Sequence, residues 1–301
     1  MKKIPPILER GDAIGICCPA GYMPRENADL CIRILQEQGY EVIAGKTLGG
    51  DSQNYFSGTD DERLDELQAF LDAGEIKAIL CGRGGYGTGR IIDRINFKQF
   101  KKKPKWLIGF SDITVLHSHI YSKFGIASLH APMASAFREG NNEYTELLLA
   151  ALRGEKSKYL VAAEAANVLG YAKGRLVGGN LSLLAHLCGT ASAFKTKNCI
   201  LFLEDIGEQL YNVDRMLYQL KRNGMFDNLA GLIIGGFSEI KDTERPFGRN
   251  IQEIVTDITK EYDYPVCFNF PVSHEKENVA LKIGVKYKLV VDENGSTLSE
   301  H

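Results

Sequence analysis

The first half of the chain alternates short apolar runs with amphipathic stretches. AIGICC (13–18) reads as a strand, and ENADLCIRILQEQG (26–39) as a helix with Ala28, Cys31, Ile32 and Leu35 along one face. EVIAG (41–45) returns as a strand. Thr59 and Glu62 then make a capping box ahead of a helix whose apolar stripe is Leu64, Leu67, Phe70 and Leu71. KAILC (77–81), KWLIGF (105–110) and IASLH (126–130) supply three more strands, with helical segments between them. Strand and helix in alternation predict an α/β fold, a mainly parallel sheet flanked by helices. In such sheets ligands bind outside the carboxyl ends of the strands.

Past residue 140 the pattern changes. A helix over Tyr144–Leu152 gives way to a Gly-Glu-Lys-Ser-Lys break and an irregular run. GGNLSLLAHLCGT (178–190), NCILFLED (198–205), a helix from Tyr211 to Asn223, LAGLIIGGF (229–237) and PVCFNFPVSH (265–274) follow. The C-terminal ALKIGVKYKLVVDENGSTL (280–298) alternates on both sides of Asn294–Gly295, a hairpin signal. A length of 301 residues favours two domains. The expected division is an α/β domain over 1–150, a linker over 151–170, and a smaller C-terminal α+β domain with antiparallel strands over 171–301.

Composition narrows the function classes. A formal charge of -2 supplies no basic field for nucleic acid or anionic lipid. No apolar run approaches the ~18 residues that span a bilayer. Lys2 and Lys3 open the N-terminus, but Pro5, Pro6, Glu9, Arg10 and Asp12 interrupt it before an apolar segment develops, so no secretory signal is expected. The seven cysteines are odd in number, contain no C-x-x-C pair and sit mostly in apolar runs. That usage suits a reducing cytoplasm and argues against a zinc site.

Chemistry has three candidate places. CGRGGYGTGR (81–90) follows a strand, and Gly82, Gly84 and Gly87 satisfy G-x-G-x-x-G. The cluster admits a dinucleotide or nucleotide site, a tight turn with no ligand, or backbone N–H groups presented as an oxyanion hole. Ser111 stands between a buried strand and a helix start, where it is either an N-cap or an exposed nucleophile. G-F-S-D is half of a G-x-S-x-G elbow, with Ile113 in place of the second glycine. His117 shares a helix face with Ile113, Ile120 and Phe124 and reads as a core-edge residue, whereas His119 points elsewhere and reads as solvated. The third place is a pair of strand ends. NCILFLED stops at Glu204 and Asp205, with Glu208 close behind, and His274 follows VCFNFPV. A carboxylate and an imidazole at the ends of buried strands are suited to act as orienting acid and general base.

RGGYG (83–87), LIGFSDITVLH (107–117), GGNLSLLAHLCGT (178–190), LFLEDIGEQLYNVDRML (201–217) and FPVSHEKENVALKIG (270–284) occur in this order. From about Asp12 to Leu289 the set resembles the LD-carboxypeptidase family, serine peptidases that include muramoyl-tetrapeptide carboxypeptidases and microcin C self-immunity peptidases. The resemblance implies a Ser–His–Glu triad at Ser111, His274 and Glu204, with Asp205 and Glu208 as nearby acids. It places the site in a groove between the domains, and an oxyanion hole at the N–H of Asp112 and at Gly84 or Gly85. It also implies a homodimer that needs no cofactor. The expected activity is cytoplasmic removal of the terminal D-Ala from murein tetrapeptides, in peptidoglycan recycling. Arg83 and Arg90, flanking the glycine loop, are candidates to bind the substrate's free carboxylate. Other readings are an immunity peptidase of the same family, an NAD(P)- or nucleotide-binding protein, and a binding module without activity.

Overall fold

The computed structural model describes residues 3–50 and 52–301. Met1 and Lys2, where the N-terminal segment begins, lie outside the described residues. The chain forms two compact units, one running to Glu155 and regaining Ala280–Lys282, the other comprising Lys156–Val279 and Ile283–His301.

The first unit is built on strands β1 (Ala13–Cys17), β2 (Glu41–Ala44), β3 (Ile76–Cys81), β4 (Trp106–Gly109) and β5 (Ser128–His130). Its helices are α1 (Glu26–Glu37), α2 (Asp60–Asp72), α3 (Thr88–Ile91), α4 (Lys98–Lys102), α5 (Thr114–Phe124) and α6 (Glu143–Leu152). All four pairings among these strands are parallel. β1 and β4 are buried along their whole length, which is why they read as unbroken apolar runs rather than alternating ones. In α1 the buried face is Ala28, Cys31, Ile34 and Leu35, with Ile32 only half-buried. Ile34 lies three residues from Cys31 and so shares its face, while Ile32, one residue away, is turned by about 100°. The capping box of α2 is formed, with Glu62 N–H donating to Thr59 Oγ1 at 3.2 Å and Thr59 N–H to Glu62 Oε2 at 2.7 Å. The helix buries Leu64, Leu67, Phe70 and Leu71 and, in addition, Arg63.

The second unit contains β6 (Lys158–Val161), β7 (Gly170–Asn180), α7 (Leu181–Leu187), β8 (Cys199–Ile206), α8 (Leu210–Arg222), β9 (Gly231–Ser238), α9 (Ile251–Thr259) and β10 (Val266–Cys267). After β11 (Leu281–Ile283) come β12 (Lys286–Asp292) and β13 (Gly295–Glu300). Its sheet has the order β10-β9-β8-β7-β12-β13-β6. β7 through β10 pair in parallel, whereas β7, β12, β13 and β6 pair antiparallel, the hairpin turning at Glu293–Asn294.

Two stretches lie elsewhere than the sequence suggested. β6 falls in the expected linker, yet it pairs with β13 and buries Tyr159. It is too short to register beside the Gly-Glu-Lys-Ser-Lys break. β11 falls in the expected second domain, yet it lies beside β5 in the first sheet, whose order is β11-β5-β4-β3-β1-β2. Three buried residues carry no periodicity that would reveal such a return. Among the described residues no helix is long and apolar enough to cross a membrane.

Candidate active site

At the carboxyl end of β4 the chain turns sharply. Phe110 is extended, and Ser111 takes φ 61°, in the left-handed region. One 3-10 turn (Ser111–Ile113) then leads into α5. A left-handed serine costs on the order of 1–2 kcal/mol, so its surroundings must hold it there. Its side chain caps neither the 3-10 turn nor α5, so the N-cap reading fails. Ser111 is partly exposed on a strand–turn–helix corner, the arrangement that presents a nucleophile.

Three contacts fix the corner. Asp112 is buried, and its carboxylate accepts from Thr88 N–H at 2.8 Å and from the Thr88 hydroxyl. Burial raises the Asp112 pKa above the ordinary range, against the Thr88 hydrogen bonds and the charge of Arg63. His117 braces the strand end, with Nε2 bonded to Gly109 O and Nδ1 to Ser128 Oγ, both at 2.8 Å. Burial pulls its pKa down to about 4, so it is a neutral strut and no base for Ser111. His119, expected in solvent, is buried instead, stacked on Phe97 at 5.2 Å and edge-on to Phe124. The exposed face expected for it is covered by those two rings. His130, which the sequence did not single out, is fully buried opposite Gly109 against the Phe110 ring.

The third contact is the glycine loop. A Cβ added to Gly84 would stand 2.8 Å from Ser111 Cβ, 3.1 Å from Ser111 Oγ and 3.4 Å from Asp112 N. The loop's main chain therefore lies directly behind Ser111. Gly84→Ala is expected to lower kcat on the order of 10²-fold, because a backbone-mounted clash displaces the serine by a fraction of an ångström or more. Steady-state kinetics beside a thermal melt check this, since a folded variant with unchanged kcat would contradict it.

The nucleotide reading does not survive the same loop. The helix after the glycines, α3, is a single turn, and the Asp112 carboxylate already occupies the N–H of Thr88 at its start. A pyrophosphate needs that position for itself. Among the described residues no three His, Cys, Asp or Glu side chains are grouped to hold a metal. Arg63, missed in the sequence because it sits in an otherwise apolar stripe, is fully buried beneath the loop. It donates to Pro19 O at 2.6 Å and to Gly87 O at 3.1 Å, and it pairs with Asp60. Arg90 is committed to Asp60 through Nε at 2.9 Å and Nη2 at 2.8 Å. Arg83 is exposed and donates to Tyr22 O at 3.0 Å.

In the second unit, the apolar run of β8 carries Glu204 to complete burial. The register between β8 and β9 shifts there, from Leu203↔Ile234 to Asp205↔Phe237, so Gly235 and Gly236 together oppose Glu204. Such a bulge re-aims a side chain beside a site. The two glycines also admit the histidine segment. A Cβ on Gly235 would fall 2.2 Å from Val272 O, one on Gly236 would fall 2.5 Å from Ser273 Cβ, and Gly236 N–H donates to Val272 O at 2.9 Å. A Gly-Gly step inside an apolar strand was the available signal for this close approach.

His274 Nδ1 lies 2.6 Å from Glu204 Oε2. A carboxylate only accepts, so Nδ1–H donates and Nε2 is left as the basic nitrogen. Burial works to lower the imidazole pKa. The hydrogen bond and charge of Glu204, with Asp205 and Glu239 behind it, outweigh burial and raise the pKa overall. The neighbouring acids are engaged elsewhere. Asp205 accepts from Asn180 Nδ2 at 2.8 Å, Ser182 N–H at 2.9 Å and Ile206 N–H at 2.8 Å, and burial pushes its pKa up to about 6. Glu208 accepts from Asn212. Of the three acids, Glu204 alone is bonded to the histidine.

Comparison with known proteins gives one result. Residues 14–131 match the LD-carboxypeptidase N-terminal domain, and residues 173–289 match the LD-carboxypeptidase C-terminal domain. The chain is 35% identical to the probable murein peptide carboxypeptidase of Bacillus subtilis, over 94% of this chain and 90% of that protein. It is 26% identical to the microcin C7 self-immunity protein MccF of Escherichia coli, over 96% and 94%. The crystal structure of muramoyltetrapeptide carboxypeptidase from Oxalobacter formigenes matches with a TM-score of 0.87 at 28% identity, over 96% and 98% of the two chains.

Proposed function

This chain belongs to the LD-carboxypeptidase family and is a serine-type carboxypeptidase, and we propose that it removes the terminal D-Ala from murein tetrapeptides through Ser111, His274 and Glu204. The observation that carries the reading is the buried Glu204 bonded at 2.6 Å to His274, in a chain that also holds a serine at φ 61° on a strand–helix corner. Ser111 Oγ attacks the carbonyl of the residue before D-Ala, and His274 Nε2 takes its proton. The tetrahedral oxyanion is held by the N–H of Asp112 and by Gly84 or Gly85, each donor supplying a few kcal/mol in the transition state. His274 returns the proton to the leaving amine of D-Ala. Water, activated by the same imidazole, then hydrolyses the serine ester.

The murein substrate is supported by what the Bacillus and Oxalobacter relatives are named for. A second reading, an immunity peptidase acting on a peptidyl-nucleotide, is supported by the Escherichia coli relative. Comparing kcat/KM for the two substrates separates them. The tetrapeptide is expected to lead by ~10²-fold or more, about the discrimination a few well-placed polar contacts supply, and a lead for the peptidyl-nucleotide would reverse the assignment. A cytoplasmic place in peptidoglycan recycling is supported by cysteines that form no disulfide among the described residues. Homodimer formation rests on the family resemblance alone.

A further inference from the structure

We infer that Arg83 and Tyr55 together hold the free C-terminal carboxylate of the substrate, and that Arg90 takes no part. The inference rests on the carboxypeptidase reading and assigns the recognition group within that site. Only one residue follows the scissile bond, so the terminal carboxylate lies about 4 Å along the chain from the attacked carbon. Its partner must therefore stand immediately beside the oxyanion donors.

The glycine loop meets that requirement. Gly84, in contact with Ser111, accepts from Gly21 N–H at 3.0 Å, which makes Gly21, Gly84 and Gly85 one side-chain-free floor. Arg83 and Tyr55 border this floor. A Cβ on Gly21 would lie 3.5 Å from Arg83 Nε, and a Cβ on Gly85 would lie 2.8 Å from Tyr55 Oη and 3.6 Å from Gly21 Cα. A guanidinium and a phenol hydroxyl thus flank the same glycine floor, exposed at Gly85, beside Ser111.

Both groups are available and positioned. Arg63, Arg90 and Arg94 are each ion-paired, whereas Arg83 has no carboxylate partner among the described residues and uses one donor, on Tyr22 O. A guanidinium has five donors in a planar fork that matches a carboxylate. Tyr55 is 58% exposed. Its main chain is tied down, with Tyr22 N–H donating to Tyr55 O at 3.0 Å and Phe56 bridged to Gly21. Its ring sits edge-on to Phe56 at 5.4 Å. An exposed phenol held by main-chain bonds donates to a ligand with little further ordering.

The test measures binding and turnover of the tetrapeptide and of its C-terminal amide. In Ser111→Ala protein, calorimetry is expected to show the acid binding ~10–100-fold more tightly than the amide, the range for a hydrogen-bonded charge. Adding Arg83→Gln should abolish that preference, and adding Tyr55→Phe should narrow it ~3–10-fold. In the active protein, Tyr55→Phe should raise KM for the acid with little change in kcat, as loss of uniform binding does. An acid preference unchanged by both substitutions overturns the inference while leaving the carboxypeptidase reading intact. If neither peptide binds and the active protein releases no alanine, both fall together. Tyr55→Phe decides the matter should Arg83→Gln fail to fold.

Discussion

Ser111→Ala is expected to lower kcat on a murein tetrapeptide by roughly 10⁴-fold or more while leaving peptide affinity close to that of the parent protein. In the proposed mechanism the serine alone forms the covalent bond, so its loss removes a step rather than weakening a contact. The backbone offers an internal control. Ser111 sits at φ 61°, which alanine tolerates no better than serine, whereas glycine adopts it freely. Ser111→Gly should be as inactive as Ser111→Ala and yet more stable than it by about 1 kcal/mol, the lower end of what a left-handed L-residue costs. Thermal or denaturant melts of the pair read this directly. If alanine proved the more stable of the two, the strained corner would not be as described.

Glu204→Gln is expected to cost about 10⁴-fold in kcat near neutral pH. Glu204 is fully buried, and its Oε2 accepts from His274 Nδ1–H, which leaves Nε2 as the basic nitrogen, the one that takes the serine's proton in the proposed mechanism. An amide in that place can turn its NH₂ toward Nδ1. The imidazole then carries its hydrogen on Nε2 and presents a donor to the serine instead of a base. The pH profile should separate this from mere loss of packing. With Glu204 present the His274 pKa stands above the ordinary imidazole value of about 6.5, so the acid limb of kcat/KM lies above that pH. Removing the carboxylate leaves burial to dominate, and the residual activity should show its acid limb at lower pH. An acid limb unmoved by Glu204→Gln would mean that another group sets it. The same shift bears on stability. The pair's contribution is complete below the unfolded imidazole pKa and is lost as pH rises through the folded one.

Much of this was legible in the sequence because it rests on local pattern. The buried strands β1, β3 and β4 are apolar runs, and Thr59 with Glu62 spells the start of α2. Ser111, Glu204 and His274 each follow or end a strand-like run, so their types and places stood out even before the resemblance joined them. What was not legible depends on contacts distant in sequence. Nothing local distinguishes Glu204 from Asp205. The choice is made by Asn180 and Ser182 taking the one and His274 the other. His119 read as solvated because the rings of Phe97 and Phe124 that cover it cannot be placed from its own helix. Arg63 was not singled out, because nothing local marks a charged residue beside Leu64 and Leu67 as one whose guanidinium is the buried strut beneath the glycine loop. β11 is three residues long, and its place beside β5 is set by the fold alone.

The most direct test is mass spectrometry of the purified protein after incubation with L-Ala-γ-D-Glu-diaminopimelate-D-Ala, run beside Ser111→Ala. A companion peptide ending in L-Ala controls for stereochemistry. The account predicts loss of one alanine from the D-Ala peptide with the parent protein alone, and none with Ser111→Ala. Equal loss with both proteins would contradict Ser111 as the nucleophile, and loss with neither would contradict the tetrapeptide as substrate.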